Sequence, residues 1–265
     1  MQKRSNQELI EGLVENFLQQ NYQLSIEDLN QWYGYRLCQT TTSLQGEIFQ
    51  FLDILGSDCV RFVTSEINNT KEYRFENIGF KPGDVVIDIG ANVGMVSIFL
   101  AKRYPFLKIY SFEPVKINYD NFVKNIKLNH IPEGIITPVR CAVTSDGRPV
   151  TVMFNPKNSG GSGVTEEREA GYIIKKEDRD IPSITLNEIF EKYNIENVKL
   201  LKIDCEGSEH EILKKCLKKY LKKIENIRGE FHEDLNKRPT FINKELVEYL
   251  QKYVKNIDIV DLKIS

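Results

Sequence analysis

The 265-residue sequence has almost no net charge: 36 Lys and Arg stand against 38 Asp and Glu, a formal balance of −2. A chain built for general nucleic-acid binding ordinarily shows a basic excess, because the phosphates it covers must be matched by cations. That excess is missing. Paired cysteines are missing too. Cys38, Cys59, Cys141, Cys205 and Cys216 are odd in number, form no CxxC and repeat no spacing. This excludes a disulfide framework and a thiol zinc site, and suits a reducing compartment. The first eight residues lack the apolar core of a signal peptide. The most apolar stretch, residues 93–101, is about half the ~20 residues that cross a bilayer. No internal repeat and no GxxxxGK[ST] phosphate loop occurs. What is present, 41% apolar and 28% charged residues, matches an ordinary soluble globular chain and rules out disorder as the main theme. The expectation is a cytoplasmic protein of one large or two small domains, with no membrane span and no nucleic-acid partner.

Leu9, Ile10, Leu13, Val14, Phe17 and Leu18 recur at helical spacing with charges between them, the pattern of an amphipathic helix. Residues 26–55 read as further short helices, residues 47–55 among them, and residues 61–67 as strand. Residues 1–80 are therefore expected to form an N-terminal helical cap on the substrate side, not an independent domain. From Lys81 the pattern changes. Lys81-Pro-Gly-Asp is turn chemistry, and Val85-Val-Ile-Asp-Ile-Gly90 is the short β-branched run of a buried parallel strand. Further strands are predicted over residues 108–113, 135–143, 199–204, 227–231 and 257–264. Helices are predicted over 94–102, 117–129, 184–193, 208–223 and 245–254. Residues 150–154 suggest a hairpin arm, and the Gly/Ser-rich, then charged residues 158–180 a mobile insertion. This alternation implies a doubly wound, mostly parallel α/β sheet of Rossmann-like form over residues 81–265.

The strongest local signal is Asp88-Ile-Gly-Ala-Asn-Val-Gly94, which joins the first strand of that sheet to its helix. Gly90 and Gly94 would let the backbone turn tightly and approach a ligand, and the helix N-terminus offers free N–H groups. Twenty-five residues after Asp88, Glu113 ends the next strand. A carboxylate there can accept hydrogen bonds from the two hydroxyls of a ribose. A GxGxxG fingerprint would need glycine where Asn92 and Met95 stand, so a nicotinamide dehydrogenase is disfavoured. A ligand with a ribose and a cationic or zwitterionic tail fits better, and S-adenosylmethionine has that chemistry. A glycine turn alone is also what a plain strand–helix connection looks like; acids at both strand ends favour a ligand site.

Together with Lys81-Pro-Gly-Asp-Val-Val-Ile, Ser111-Phe-Glu-Pro114, Ala142-Val143, Ile184-Thr-Leu and Leu201-Lys-Ile-Asp-Cys-Glu-Gly-Ser-Glu-His-Glu-Ile-Leu213, these residues resemble the FkbM-type methyltransferases of the class I S-adenosylmethionine-dependent fold. The likeness covers about residues 78–235, and the last segment is its family-specific part. It implies S-adenosyl-L-methionine as cofactor. It further implies that Asp88, Gly90 and Asn92, with Ala91 and Gly94 beside them, bind the methionine portion. Glu113, followed by Pro114, would hold the ribose, and the edge from Arg140 through Ala142 and Val143 would lie against adenine. The implied reaction is O-methylation of a sugar or secondary-metabolite hydroxyl, as in natural-product biosynthesis, on a small-molecule, glycan or peptide acceptor. Methyl-ester formation on a carboxyl and N-methylation of a peptide are the alternatives. Two departures stand out. Sheets of this kind usually end with two strands after the last helix, whereas the residues up to Ser265 leave room for one, so a strand is lost or the chain continues elsewhere. The first 80 residues match nothing in the family. A non-catalytic module that keeps the fold is the remaining rival, and the intact acids at 88, 113, 204 and 206 speak against it.

Methyl transfer from a sulfonium has an activated leaving group, so the protein must mainly align the acceptor and exclude water. An alcohol acceptor benefits from a general base. Asp204 and Glu206 follow the fourth strand of the sheet, and Glu230 and His232 end the fifth, the strand ends where ligands sit in such sheets. Glu230 and His232 are two apart and share one strand face. His232 is expected to be the base, oriented by Glu230, with Asp204 facing cofactor or acceptor and Glu206 near it. Glu206 also reads as a helix N-terminal acid, and His232 as a surface histidine. The same four groups would make an oxygen-rich divalent metal site, as in catechol-type methyltransferases; strand-end acids are common without metal, and no metal ligand is assigned. His130 and His210 are expected at the surface. Lys214, Lys215, Lys218, Lys219, Lys222 and Lys223 line one face of the helix after Ser208, with Ile212, Leu213, Cys216, Leu217 and Leu221 turned to the core. That face reads as a solvated one. Residues 158–163 could close over the acceptor or form a disordered tip.

Overall fold

The computed structural model describes residues 36–69, 73–164, 174, 176–233 and 243–263; the amphipathic helix expected over residues 9–18 lies outside them. The described chain opens on a hairpin. β1 (Leu37–Leu44) and β2 (Glu47–Ile54) pair antiparallel around Gln45 and Gly46, which sit at φ 47° and 88° as a two-residue hairpin turn requires. The helices expected up to residue 55 are thus a hairpin over residues 37–54. The misreading has a physical cause: the end of β2 is covered on both faces, so Phe51, Leu52, Asp53 and Ile54 are all buried and mask the two-residue alternation. The strand expected over 61–67 is instead α1 (Cys59–Asn69), whose Val60, Val63 and Ile67 turn to the core at helical spacing.

The β-branched run after the turn forms β3 (Val85–Ile89), which alternates its faces between two core layers. Val86 packs with Phe99, Leu100 and Ile109 on one side, while Ile87 and Ile89 pack with Leu201, Ile203 and Leu213 on the other. There follow α2 (Met95–Arg103), β4 (Lys108–Phe112), α3 (Lys116–Leu128), β5 (Ile136–Val139), β6 (Ala142–Thr144), β7 (Ser183–Thr185), α4 (Leu186–Lys192), β8 (Val198–Ile203), α5 (Glu209–Lys215), α6 (Lys218–Leu221), β9 (Ile224–Glu233), α7 (Asn243–Leu250) and β10 (Asn256–Lys263). Six of the strands make one parallel sheet in the order β10-β9-β8-β3-β4-β5. The chain leaves β3 first toward β4 and later returns on its other side as β8. The crevice for a ligand therefore opens above the carboxyl end of β3.

Three expected elements change form. The strand over 135–143 breaks at Arg140: β5 stays in the main sheet, while β6 pairs with β7 in a small parallel sheet of its own. Residues 150–154 make isolated antiparallel bridges to Ile181 and Gly163. The helix over 208–223 breaks at Cys216 and Leu217, both extended, where the Leu217 N–H donates to Asn187 Oδ1 at 2.8 Å. Leu217 is exposed as a result, so it does not join the core face with Ile212 and Leu213, and the lysines are divided among two short helices and the turn at Lys222 and Lys223.

The hairpin docks on the sheet through asparagines. Asn125 is fully buried in α3; its Oδ1 accepts the Leu52 N–H at 2.7 Å, and its Nδ2 donates to Leu52 O at 3.1 Å and Val93 O at 2.9 Å. One turn on, Asn129 makes the same pair of bonds to Gln50 N and O. Two side chains of a helix thus serve β2 as a neighbouring strand would, and Phe49 and Phe51 complete the joint against Phe99 and Phe75.

Candidate active site

The carboxyl ends of β3, β4, β8 and β9 open onto a cavity of about 550 Å³, within the ~300–1,000 Å³ usual for small-molecule sites. One end is walled by Gly90, Ala91, Asn92, Glu113 and Pro114, continued by Ala142 and Val143. Glu113 is buried there. Its Oε2 accepts the Asn92 N–H at 2.8 Å, and its Oε1 accepts the Val115 N–H at 2.9 Å and Asn118 Nδ2 at 3.4 Å. A carboxylate has about four lone-pair sites, so with three filled a place remains for a hydroxyl donor. Beside it the buried Asn118 Oδ1 has no hydrogen-bond partner among the described residues. Burial pushes the Glu113 carboxyl up to about 7, against the N–H groups of Val115 and Asn92 that favour its charge.

Asp88 and Gly94 are not on the cavity wall. Asp88 is fully buried; its Oδ2 accepts from Ser97 Oγ at 2.6 Å, and its Oδ1 lies 3.4 Å from Lys202 Nζ. Lys202 in turn donates to Gly90 O at 2.8 Å and lies 3.8 Å from Asp204 Oδ2. Although burial alone would lower it, Asp88 and Asp204 hold the Lys202 pKa up. Asp88 therefore acts on the Gly90 turn from behind. Gly90 and Gly94 turn tightly as expected, but the room they leave is filled by the protein. A Cβ on Gly90 (φ 77°) would lie 1.7 Å from Asp204 O, and one on Gly94 (φ 87°) 1.9 Å from the Phe122 ring.

The other end of the same cavity gathers Asp204, Glu206, Glu230 and His232. Ligating atoms of Asp204, Glu230 and His232 all lie within 4.8 Å of one another. His232 is buried and held by Glu209, not Glu230: Nδ1 lies 3.2 Å from Glu209 Oε1, and Nε2 faces Glu206 Oε2 at 3.7 Å. Glu209 is anchored by the N–H groups of Cys205 and Gly207. Burial would raise the Glu209 carboxyl, but the bond to and charge of His232, with those N–H groups, hold it at about 2. The converse holds for the ring. Burial would lower His232, yet Glu209, Glu206 and Asp204 raise it to about 9. The surrounding carboxylates thus favour the charged form of the ring in the free protein. Burial, then the charges of Asp204 and Glu66, push Glu230 up to about 8, and burial also raises Asp204. Glu206 sits at φ 58°, a conformation costing a non-glycine residue about 1 kcal/mol or more.

The lid of the cavity comes from residues 158–164 together with α1 and Tyr73. A single 3-10 turn, Ser159–Gly161, is tied down on several sides. Ser159 Oγ donates to the buried Asp53 at 3.1 Å, and Ser159 O accepts Asn118 Nδ2 at 3.1 Å. The start of the expected mobile insertion is thus part of the wall; residues 165–173 lie outside the described ones. Burial raises Asp53 to about 6, against the bonds from Ile54 N–H and Ser57 and Ser159. Asn92 Nδ2 meets Cys59 Sγ at 2.9 Å, which links α1 to the turn after β3.

Sequence reasoning missed Glu209, Lys202, Asn118, Ser159, Asp53 and Glu66. Glu206 could be read as a helix N-terminal acid, but nothing local marks Glu209 as the acid that meets His232. His210, expected at the surface, is fully buried, its Nε2 2.6 Å from Asn243 Oδ1, because α7 packs over that face of α5. His130 is exposed, as expected.

A doubly wound parallel sheet with an acid ending β4 beside a glycine turn, facing acids and a histidine across one cavity, defines a nucleoside-cofactor transferase of the class I kind. The methyltransferase FkbM domain matches residues 88–257, well over half of the chain, and the protein belongs to that family of methyltransferases. Its cofactor is S-adenosylmethionine. The chain is 27% identical over 203 residues to methyltransferase sdnD of Sordaria araneosa, covering 68% of this chain and 77% of that one. It is 24% identical over 197 residues to 31-O-demethyl-FK506 methyltransferase FkbM of Streptomyces tacrolimicus, covering 65% and 75%. It is 23% identical over 182 residues to hexuronic acid methyltransferase AglP of Haloferax volcanii, covering 68% and 64%. No helix among the described residues is long and apolar enough to cross a membrane.

Proposed function

We propose that this chain is an O-methyltransferase acting on a hydroxyl of a sugar, secondary metabolite or other small molecule. The observation that carries the reading is one cavity with two unlike ends: a neutral turn around Glu113, and a cluster of Asp204, Glu206, Glu230 and His232 facing it. The residues fit the cofactor. Glu113 keeps an acceptor site for one ribose hydroxyl, and Asn118 Oδ1 is a second buried acceptor beside it. The cavity carries Glu66, Glu113, Asp204, Glu206 and Glu230 against Lys202 and His232 among the described residues, a wall that favours a sulfonium.

S-adenosylmethionine supplies a methyl group on a positively charged sulfur that departs as a neutral thioether. Asn92, Ala91 and the Gly90 turn would hold its methionine portion, Glu113 and Pro114 its ribose, and Ala142 and Val143 its adenine. Asp88 and Gly94 shape that turn from behind. Asp204, Glu206, Glu230 and His232 receive the acceptor and fix its oxygen for in-line attack, and a carboxylate of the cluster takes up its proton. The relatives named for a 31-O-demethyl substrate and for a hexuronic acid support an oxygen acceptor. A free carboxylate fits this wall less well, because its charge would meet those of Glu66, Asp204 and Glu206. The test is incubation of small-molecule extracts and oligosaccharides with isotopically labelled S-adenosylmethionine, read by mass spectrometry. Label on an ether oxygen supports the reading; label confined to nitrogen or a methyl ester overturns it.

A further inference from the structure

We propose that Asp204, Glu230 and His232 bind a divalent cation of the Mg²⁺ or Mn²⁺ class, which holds the acceptor hydroxyl beside the methyl donor. The inference rests on the hydroxyl-methylation reading and specifies how the four groups at that end divide the work. Its first support is geometric. One oxygen of each carboxylate and a ring nitrogen lie within 4.8 Å of one another. Ligands about 2.1 Å from a shared ion lie roughly 3–4 Å apart, so small side-chain rotations, that of Glu230 among them, close the set. Glu230 has room for that rotation, because its carboxylate makes no hydrogen bond or ion pair with the described residues.

The second support is the setting of the imidazole. The His232 side chain is 5% exposed, and its Nδ1 is engaged by the fully buried Glu209. In the neutral ring this keeps the proton on Nδ1 and leaves a lone pair on Nε2. Among the described residues the pair that Nε2 makes is with Glu206 at 3.7 Å, beyond hydrogen-bond reach. A carboxylate behind a histidine whose other nitrogen lies open is the arrangement that orients metal-ligating imidazoles. Lys202 lies 3.4 Å from Asp88 Oδ1 and donates to Gly90 O at 2.8 Å, and stands farther off, at 3.8 Å, from Asp204 Oδ2.

Two carboxylate oxygens and one imidazole leave sites of an octahedron open for the acceptor oxygen and water. A hydroxyl held there loses its proton to the Glu206 carboxylate as the O–H bond breaks. The freed pair on oxygen forms the bond to the methyl carbon, and the pair of the broken C–S bond stays on sulfur. No oxidant or reductant is needed.

The test uses the full chain, freed of metal with EDTA and desalted, with S-adenosylhomocysteine at saturation. Mn²⁺ is titrated in and free hexaaqua ion is counted by room-temperature electron paramagnetic resonance. One Mn²⁺ per chain is expected. Glu230→Gln should abolish that uptake, and Glu209→Gln should weaken it about 10–100-fold. Circular dichroism confirms that both variants are folded, and calorimetry with S-adenosylhomocysteine shows the cofactor end intact. No uptake with normal S-adenosylhomocysteine binding overturns the metal site while sparing the methyltransferase reading, as does uptake unchanged in Glu230→Gln. Turnover that persists in EDTA, with affinity rising for amine-bearing acceptors, also overturns it and assigns the acids to a cationic acceptor. Loss of label on oxygen in the acceptor screen is the separate failure of the hydroxyl reading.

Discussion

The two ends of the cavity are built in different ways. Around Glu113 the chain presents backbone: two N–H groups fix the carboxylate, and two glycines are present because the protein itself fills the space a Cβ would take. Around His232 it presents side chains from β8, α5 and β9, crowded so closely that several carry shifted protons. The first end needs only a strand, a turn and the next strand in register. The second needs tertiary neighbours, and its chemistry is set by which charge lies beside which.

The largest effect should come from the pair behind the cofactor turn. Asp88 and Lys202 are both almost fully buried, and removing one partner of such a pair typically costs about 3–5 kcal/mol. Asp88→Ala is expected to lower stability by that order in urea unfolding, before any effect on binding. Stability equal to wild type would place Asp88 in a merely local role. Next, His232→Ala is expected to reduce turnover about 100-fold or more without loosening S-adenosylhomocysteine. Unchanged turnover would remove the ring from the chemistry. Asn125→Ala should then cost about 1–3 kcal/mol by leaving the Leu52 N–H and C=O unsatisfied. Thermal melts should show that loss with Phe49 and Phe51 still in place.

The smallest effect is a pH dependence at the other end. The Glu113 carboxyl is raised to about 7, so it is mostly protonated at pH 6 and mostly charged at pH 8. Ribose hydroxyls and a nearby sulfonium favour the charged form, so S-adenosylmethionine should bind more tightly as pH rises across that window, by up to about tenfold. A flat profile would mean that the carboxylate is already ionised in the free protein. The linked stability has the opposite sign. A raised carboxyl pKa contributes stability that is present below the unfolded value and lost as pH rises through about 7.

Much of this molecule could be read from local order. The run from Val85 to Gly90, Glu113 twenty-five residues on, and the Asp204 and Glu230 strand ends are set by short-range pattern, and the parallel sheet follows from their alternation. What escaped was decided at a distance. The hairpin over residues 37–54 looked helical because the end of β2 is buried on both faces. It docks through Asn125 and Asn129, whose bonds span more than 70 residues of sequence. His210 looked exposed because α7, which covers it, follows more than 30 residues later. Glu209 carries no local mark, and only the approach of β9 singles it out as the partner of His232.

The division of the cavity into a cofactor end and an acceptor end is tested most directly by calorimetric titration with S-adenosylhomocysteine of wild type, Glu113→Ala and His232→Ala under one condition. The account predicts that Glu113→Ala loses measurable binding while His232→Ala binds as wild type does. Wild-type affinity in Glu113→Ala, or loss of binding in a folded His232→Ala, would contradict it.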